Sequence, residues 1–136
     1  MLKPQLTNMG VSGIRKMASE IVEWPQNMDR KKLSRALYNL YIQIDLSGTG
    51  GGNYRSMYAR FLNIARKVTG NPWLDQSAQL FDYAAKQWMA LAHPLKSVYE
   101  IADPAILVRD LAEDLEKVSY TEETALKLLA SAMPQF

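Results

Sequence analysis

Residues 48 to 55 read GTGGGNYR, which places four of the chain's seven glycines within five positions and next to an arginine. Glycine tolerates positive φ and lets backbone amides approach a partner closely. A glycine-rich stretch that runs into a helix N-terminus therefore offers unpaired N–H groups to an anion. Thr49 and Asn53 add side-chain donors, and Arg55 could clamp a phosphate or a carboxylate. A cation in the first turn of a helix opposes the macrodipole, at a cost of up to ~1 kcal/mol. Two readings of Gly48, Thr49, Gly50, Gly51, Gly52, Asn53, Tyr54, Arg55 and Tyr58 stand side by side: a ligand or partner site, or an interhelical turn whose arginine pairs with a carboxylate of the same domain. The stretch is not a phosphate-binding P-loop, because it lacks the Lys-Ser/Thr ending and a preceding strand. It follows no strand, as a dinucleotide fingerprint must.

A second group is the basic run Arg30, Lys31, Lys32 and Arg35. It sits at the start of a helix, again on the unfavourable side of the dipole. It is either a solvated face or a docking surface for an acidic partner. Nucleic acid is not the expected partner, since no binding motif accompanies the run. His93 is the single histidine and precedes Pro94 at a helix end. No second histidine and no cysteine completes a transition-metal site, and Asp110, Glu113 and Asp114 have the spacing of an exposed helix face. No metal and no cofactor is expected. The serines and threonines have no base and orienter at a recognisable spacing, so no catalytic residue is assigned and the chain is not expected to be active alone.

The balance of residues bounds the class of protein and its partners. The 136 residues are 48% hydrophobic and 10% aromatic, enough for one domain with a real core. The net charge of +2 is too small to make nucleic acid or an anionic membrane the main partner. It is unevenly spread: residues 1–70 hold 11 basic and 4 acidic residues, residues 71–136 hold 5 and 10. The absence of cysteine removes disulfides, thiolate ligands and a cysteine nucleophile together. No segment approaches the roughly 20 apolar residues of a membrane span, and the N-terminus carries no signal-peptide core. A soluble, cytoplasmic protein is the expectation.

The elements that must position these groups are helical. Val11, Ile14, Met17, Ile21 and Val22 mark one face of a helix ending near Trp24, before Pro25. Asp29 caps a second, with Leu33, Leu37, Leu40, Tyr41 and Ile44 inward. A third starts near Asn53, presents Tyr54, Met57, Tyr58, Phe61, Leu62, Ala65 and Val68, and stops at Gly70 and Pro72. The fourth turns Leu74, Ala78, Phe81, Ala85, Trp88 and Leu91 inward until Pro94 ends or kinks it, with another turn or two in LKSVYEI. Asp103 and Pro104 open a fifth through about Val118. Ser119 and Glu122 have capping-box spacing for a last helix to about Met133. Tyr54, Tyr58, Phe61, Trp73 and Trp88 read as core. No run alternates with period two, so the expected fold is all-α, an irregular or orthogonal bundle of about five to seven helices in a single domain, 1–136.

The stretches GVSGIRKMASEIVEWP and LSRALYNLYIQIDLSGTGGGNYRSMYARFLNIA resemble the C-terminal helical domain of unknown function found in proteins similar to butirosin biosynthesis protein H. The match is close from residue 10 to about residue 95 and looser beyond. Its core is Gly48, Thr49, Gly50, Gly51, Gly52, Tyr54, Arg55 and Tyr58. The resemblance implies the accessory half of a cysteine-peptidase-like acyltransferase, which moves an acyl group from a carrier protein to an aminoglycoside amine and carries its Cys and His in an N-terminal domain. By this resemblance the chain is a non-catalytic accessory domain, either the C-terminal part of a longer two-domain protein or a stand-alone version. Its partners would be a Cys/His catalytic domain, in cis or in trans, and an acyl carrier protein. The alternatives are a stand-alone helical module that binds a small molecule or anion, or a scaffold with no ligand. A homodimer face is equally compatible with the amphipathic helices.

Overall fold

The computed structural model describes residues 11–46 and 51–132. Among these residues there are six α-helices and no strand, the all-α class that the periodicity implies. They are α1 (Ser12–Ile21), α2 (Trp24–Asn27), α3 (Arg30–Tyr41), α4 (Gly51–Thr69), α5 (Pro72–Ala92) and α6 (Ile106–Ala132). A π-helical turn, Ile42–Leu46, extends α3, and a 3₁₀ segment, His93–Glu100, follows α5.

Local chemistry accounts for most of the boundaries. α1 stops at Ile21, earlier than the expected end near Trp24, and Trp24–Asn27 forms a turn of its own with Pro25 in its first positions, where a missing N–H costs nothing. Val22 is consequently exposed, off the buried face that Val11, Ile14 and Ile21 share. Asp29 caps α3 as expected: its Oδ1 accepts from the Lys32 amide at 2.8 Å. Leu33, Leu37, Leu40 and Tyr41 are buried, and Ile44 carries the same face into the π turn.

Between α4 and α5 the backbone reverses on Gly70, at φ 71°. Its amide donates to the Arg66 carbonyl at 2.7 Å, so the glycine closes α4 in the left-handed conformation that a side chain would resist. Asn71 then caps α5 by accepting from the Trp73 amide at 3.0 Å, and Pro72 takes the first helical position. Pro94 has no N–H to continue α5, and the chain tightens into the 3₁₀ segment, broken at Ser97 by φ −106° and ψ 22°. Leu95 and Val98 lie three residues apart, on one side of that tighter helix, and both are buried.

The largest departure from expectation concerns α6. Two helices separated at Ser119–Glu122 were anticipated, whereas Ile106–Ala132 is one continuous helix of 27 residues. Ser119 is not a cap. It is buried, and its hydroxyl donates to the Glu116 carbonyl at 2.6 Å, one turn earlier in the same helix. Glu122 reaches sideways to α5 instead of back to an N-cap amide. At the start of α6, Asp103 Oδ1 accepts from the Ala105 amide at 3.2 Å, and the helix proper begins at Ile106, two residues beyond Pro104.

The core has two parts. The larger joins α1, α3, α5, the 3₁₀ segment and α6, with Ile21, Leu37, Leu95, Leu115 and Val118 among its fully enclosed members. The smaller consists of Ala59 and Leu62 of α4, Ala78 and Phe81 of α5, and Ala125 and Leu129 of α6. α4 packs chiefly on α5. Successive helical residues are about 100° apart, so the covered stripe through Ala59 and Leu62 leaves Phe61 and Val68 outside. Both had been placed on the buried face. Trp73, also read as core, is 48% exposed at the head of α5.

Candidate functional site

The glycine stretch divides at a helix start. Gly48, Thr49 and Gly50 lie outside the described residues. Gly51 and Gly52 are not loop residues, as expected, but the first two residues of α4, followed in the same helix by Asn53, Tyr54, Arg55 and Tyr58. The side chains of these last four, and with them any pairing of Arg55, lie outside the described set. α4 begins two residues earlier than its apolar pattern implies, with glycine in a helical position where it costs conformational entropy.

The basic run is fully described and borders a cleft. Arg30, Lys31, Lys32 and Arg35 are all exposed on the first turns of α3. None of the four makes an ion pair with another described residue. Arg30 and Lys31 line one wall of a cleft of about 290 Å³, with buried Ser34 below and Tyr99 and Ile101 opposite. The opposite wall comes from the 3₁₀ segment, which packs against α3. Tyr99 is held by Tyr38, ring centroids 5.2 Å apart, and Tyr38 in turn leans on Tyr41 at 5.7 Å. The cleft thus has an aromatic wall and a cationic rim. Sequence periodicity marked the cations, but nothing in it pointed to Tyr99, which depends on the proline-induced 3₁₀ segment swinging LKSVYE back onto α3.

A second cleft, about 390 Å³, runs between α4 and α5 and is lined by Ala59, Arg60, Asn63, Ala78, Gln79 and Asp82. Its polar wall is partly engaged within the protein: Gln79 Nε2 donates to Asp75 at 3.4 Å, and Asp82 pairs with Lys86 at 3.4 Å.

Between α5 and α6 lies a buried polar seam that sequence reading missed. The Trp88 indole N–H donates to Glu122 Oε2 at 2.6 Å, with Glu122 only 4% exposed. Ser77 Oγ donates to the Ala125 carbonyl at 2.9 Å, and Gln87 Oε1 is a buried acceptor with no hydrogen-bond partner among the described residues. The signal was present in Glu122, a carboxylate at a position where the apolar period of α6 calls for a core residue.

At the far side, α1 is clasped to α6. The Lys127 ammonium meets Glu123 at 2.8 Å, the Arg15 guanidinium bonds the same carboxylate, and Arg15 also lies over the Tyr120 ring, 5.2 Å from its centroid. The hydrogen bond from Lys127, then that from Arg15, hold the Glu123 carboxyl below the usual glutamate range. His93 is exposed at the start of the 3₁₀ segment. Asp110 and Glu113 are exposed on α6, Asp114 is half-buried, and Glu113 pairs with Arg109 at 3.7 Å. No group of three or more His, Asp or Glu among the described residues is placed to hold a metal ion. No helix among them is long and apolar enough to cross a membrane.

These features define an all-α domain with a cationic cleft and no assembled catalytic group among the described residues. The chain belongs to the family described as a domain of unknown function, DUF4872, whose model matches residues 1–129 and so extends well past the stretch around the glycines. Neither the curated proteins nor the solved structures contain a match.

Proposed function

We propose that this chain is a non-catalytic accessory domain of an acyltransferase similar to butirosin biosynthesis protein H, working with a Cys/His catalytic domain and docking an acyl carrier protein. The observation that carries the reading is the set of exposed cations Arg30, Lys31, Lys32 and Arg35, which make no ion pair with a described residue, beside the Tyr99 cleft. Exposed lysines and arginines with no carboxylate partner among the described residues keep their field for an acidic partner, which speeds encounter and fixes orientation. The resemblance of the GTGGGNYR region supplies the acyltransferase context, and the lack of any cysteine in the sequence fits a domain that leaves nucleophilic chemistry to its partner. Tyr99 and Ile101 give the cleft an apolar component against which a partner side chain or a pendant chain can rest.

The test is carrier-protein binding by calorimetry, comparing the unaltered chain with a variant in which Arg30, Lys31, Lys32 and Arg35 are all replaced by Glu. The affinity should fall by roughly tenfold or more, and the binding of the unaltered chain should weaken as salt is raised. Equal binding by the two proteins would remove the docking role.

A further inference from the structure

The cleft between α3 and the 3₁₀ segment contains a buried hydroxyl with nothing to bond. Arg30 and Lys31 precede Ser34 on α3 by four and three residues, so the two cations and the serine share one face of the helix and line the same cleft. Ser34 is 7% exposed, yet its side chain makes no hydrogen bond with a described residue. A serine within a helix ordinarily turns its hydroxyl back to a carbonyl of the preceding turn, as Ser19, Ser119 and Ser131 do in this protein. Gln87 Oε1 is the one side-chain polar atom among the described residues that is both sealed from solvent and without a partner, so the Ser34 hydroxyl keeps an opening to the cleft that its residue lines. A polar group so deeply set calls for a partner from outside the fold.

The charges around it fix the sign of that partner. Arg30 and Lys31 make no ion pair with a described residue. The amide end of α3 is not the site, because the Asp29 carboxylate already accepts from the Lys32 amide there. Glu100 is exposed and does not line the cleft, whose opposite wall is the uncharged pair Tyr99 and Ile101. Two cations and a hydroxyl donor suit a group with more than one negative charge and more than two acceptor oxygens, which describes a phosphate better than a carboxylate. The cleft volume of about 290 Å³ lies close to the lower end of small-ligand sites, about 300–1,000 Å³, which leaves room for a phosphate and a short organic part.

We propose that this cleft binds a phosphate ester: Arg30 and Lys31 neutralise the phosphate, the Ser34 hydroxyl donates to one of its oxygens, and the organic part lies along Tyr99 and Ile101. The docking reading above needs only the surface charge, and this inference goes beyond it. The ester is either a free small molecule or a group borne by the carrier protein, and the recognition chemistry is the same.

Calorimetry on the unaltered chain tests the site with phenyl phosphate, inorganic phosphate and benzoate as probes. Phenyl phosphate should bind more tightly than inorganic phosphate, and both more tightly than benzoate. Ser34→Ala should weaken phenyl phosphate roughly tenfold while melting no lower than the unaltered chain, since it deletes a hydroxyl that bonds nothing among the described residues. Arg30→Gln/Lys31→Gln should lose roughly tenfold or more, and Tyr99→Ala should weaken phenyl phosphate while leaving inorganic phosphate unchanged. Absence of phenyl phosphate binding, binding that survives both Ser34→Ala and Arg30→Gln/Lys31→Gln, or benzoate bound as tightly as phenyl phosphate overturns the inference. Carrier protein with and without its phosphate-linked arm separates the two sources: tighter binding with the arm assigns the ester to the protein, equal binding to a free molecule, and the site stands in both. If the carrier protein binds and phenyl phosphate does not, this inference fails and the docking reading stands. If phenyl phosphate binds and the carrier protein does not, docking fails and the site stands with a free ester as its ligand.

Discussion

The two halves of the core are built on different terms. Around α3 and the 3₁₀ segment, Leu37, Leu95, Val98, Leu115 and Val118 are enclosed by four elements, and what remains on the surface of α3 is almost entirely polar. Around α4, half of the small cluster is alanine, and the helix turns Phe61, Ile64 and Val68 outward. Aliphatic side chains closed in on every side make a region complete in itself. An outer helix that rests on alanines buries less of its apolar surface and is held by fewer neighbours.

Truncation tests that contrast most strongly. Leu37→Ala empties a fully buried site in the larger cluster and should cost about 3 kcal/mol or more by urea denaturation. Leu62→Ala removes the same atoms from a cluster whose outer wall is a single helix, which can settle inward; about 2 kcal/mol is expected. Equal losses would mean that α4 is held as firmly as α3 and that the distinction between the two regions is false.

Next in size is the seam that joins the regions, Trp88 with Glu122. Glu122→Ala removes the carboxylate that accepts from the buried indole N–H and should cost about 1 to 3 kcal/mol. Glu122→Gln retains a carbonyl acceptor and should cost clearly less. If the two variants unfold at the same urea concentration, the hydrogen bond contributes nothing and shape alone fixes the contact between α5 and α6.

The same seam shows how far the sequence could be read. Every residue that the apolar period placed on the inward face of α3 is buried, although Ser34 beside them was not foreseen, and the Asp29, Gly70 and Pro72 signals marked real helix ends, because each acts through its own backbone. Ser119 and Glu122 obey the same local rule and yet lie in mid-helix, since a tertiary partner, Trp88, competes for the carboxylate and the serine hydroxyl turns back to Glu116. Phe61 and Val68 failed for the converse reason. Periodicity reports that a face is apolar, but whether this chain or another molecule covers it depends on how many neighbours the helix has. Arg30, Lys31, Lys32 and Arg35 were legible as a surface, while Tyr99 entered their cleft only through the path imposed by Pro94. At the glycine stretch, the start of α4 at Gly51 shortens the candidate loop.

The smallest effect expected is at the clasp between α1 and α6, and its value lies in its pH dependence. Glu123 bonded by Lys127 and Arg15 has a folded-state carboxyl held below its unfolded range, so its contribution is present above that unfolded range and disappears as pH falls through the depressed folded value. Glu123→Gln should therefore melt slightly below the unaltered chain at neutral pH, with the gap closing as the solution is acidified past the ordinary glutamate range. Salt should narrow the same gap at neutral pH, because the partners are exposed. A gap that persists in acid would show that the charge of Glu123 is not what fixes α1 to α6.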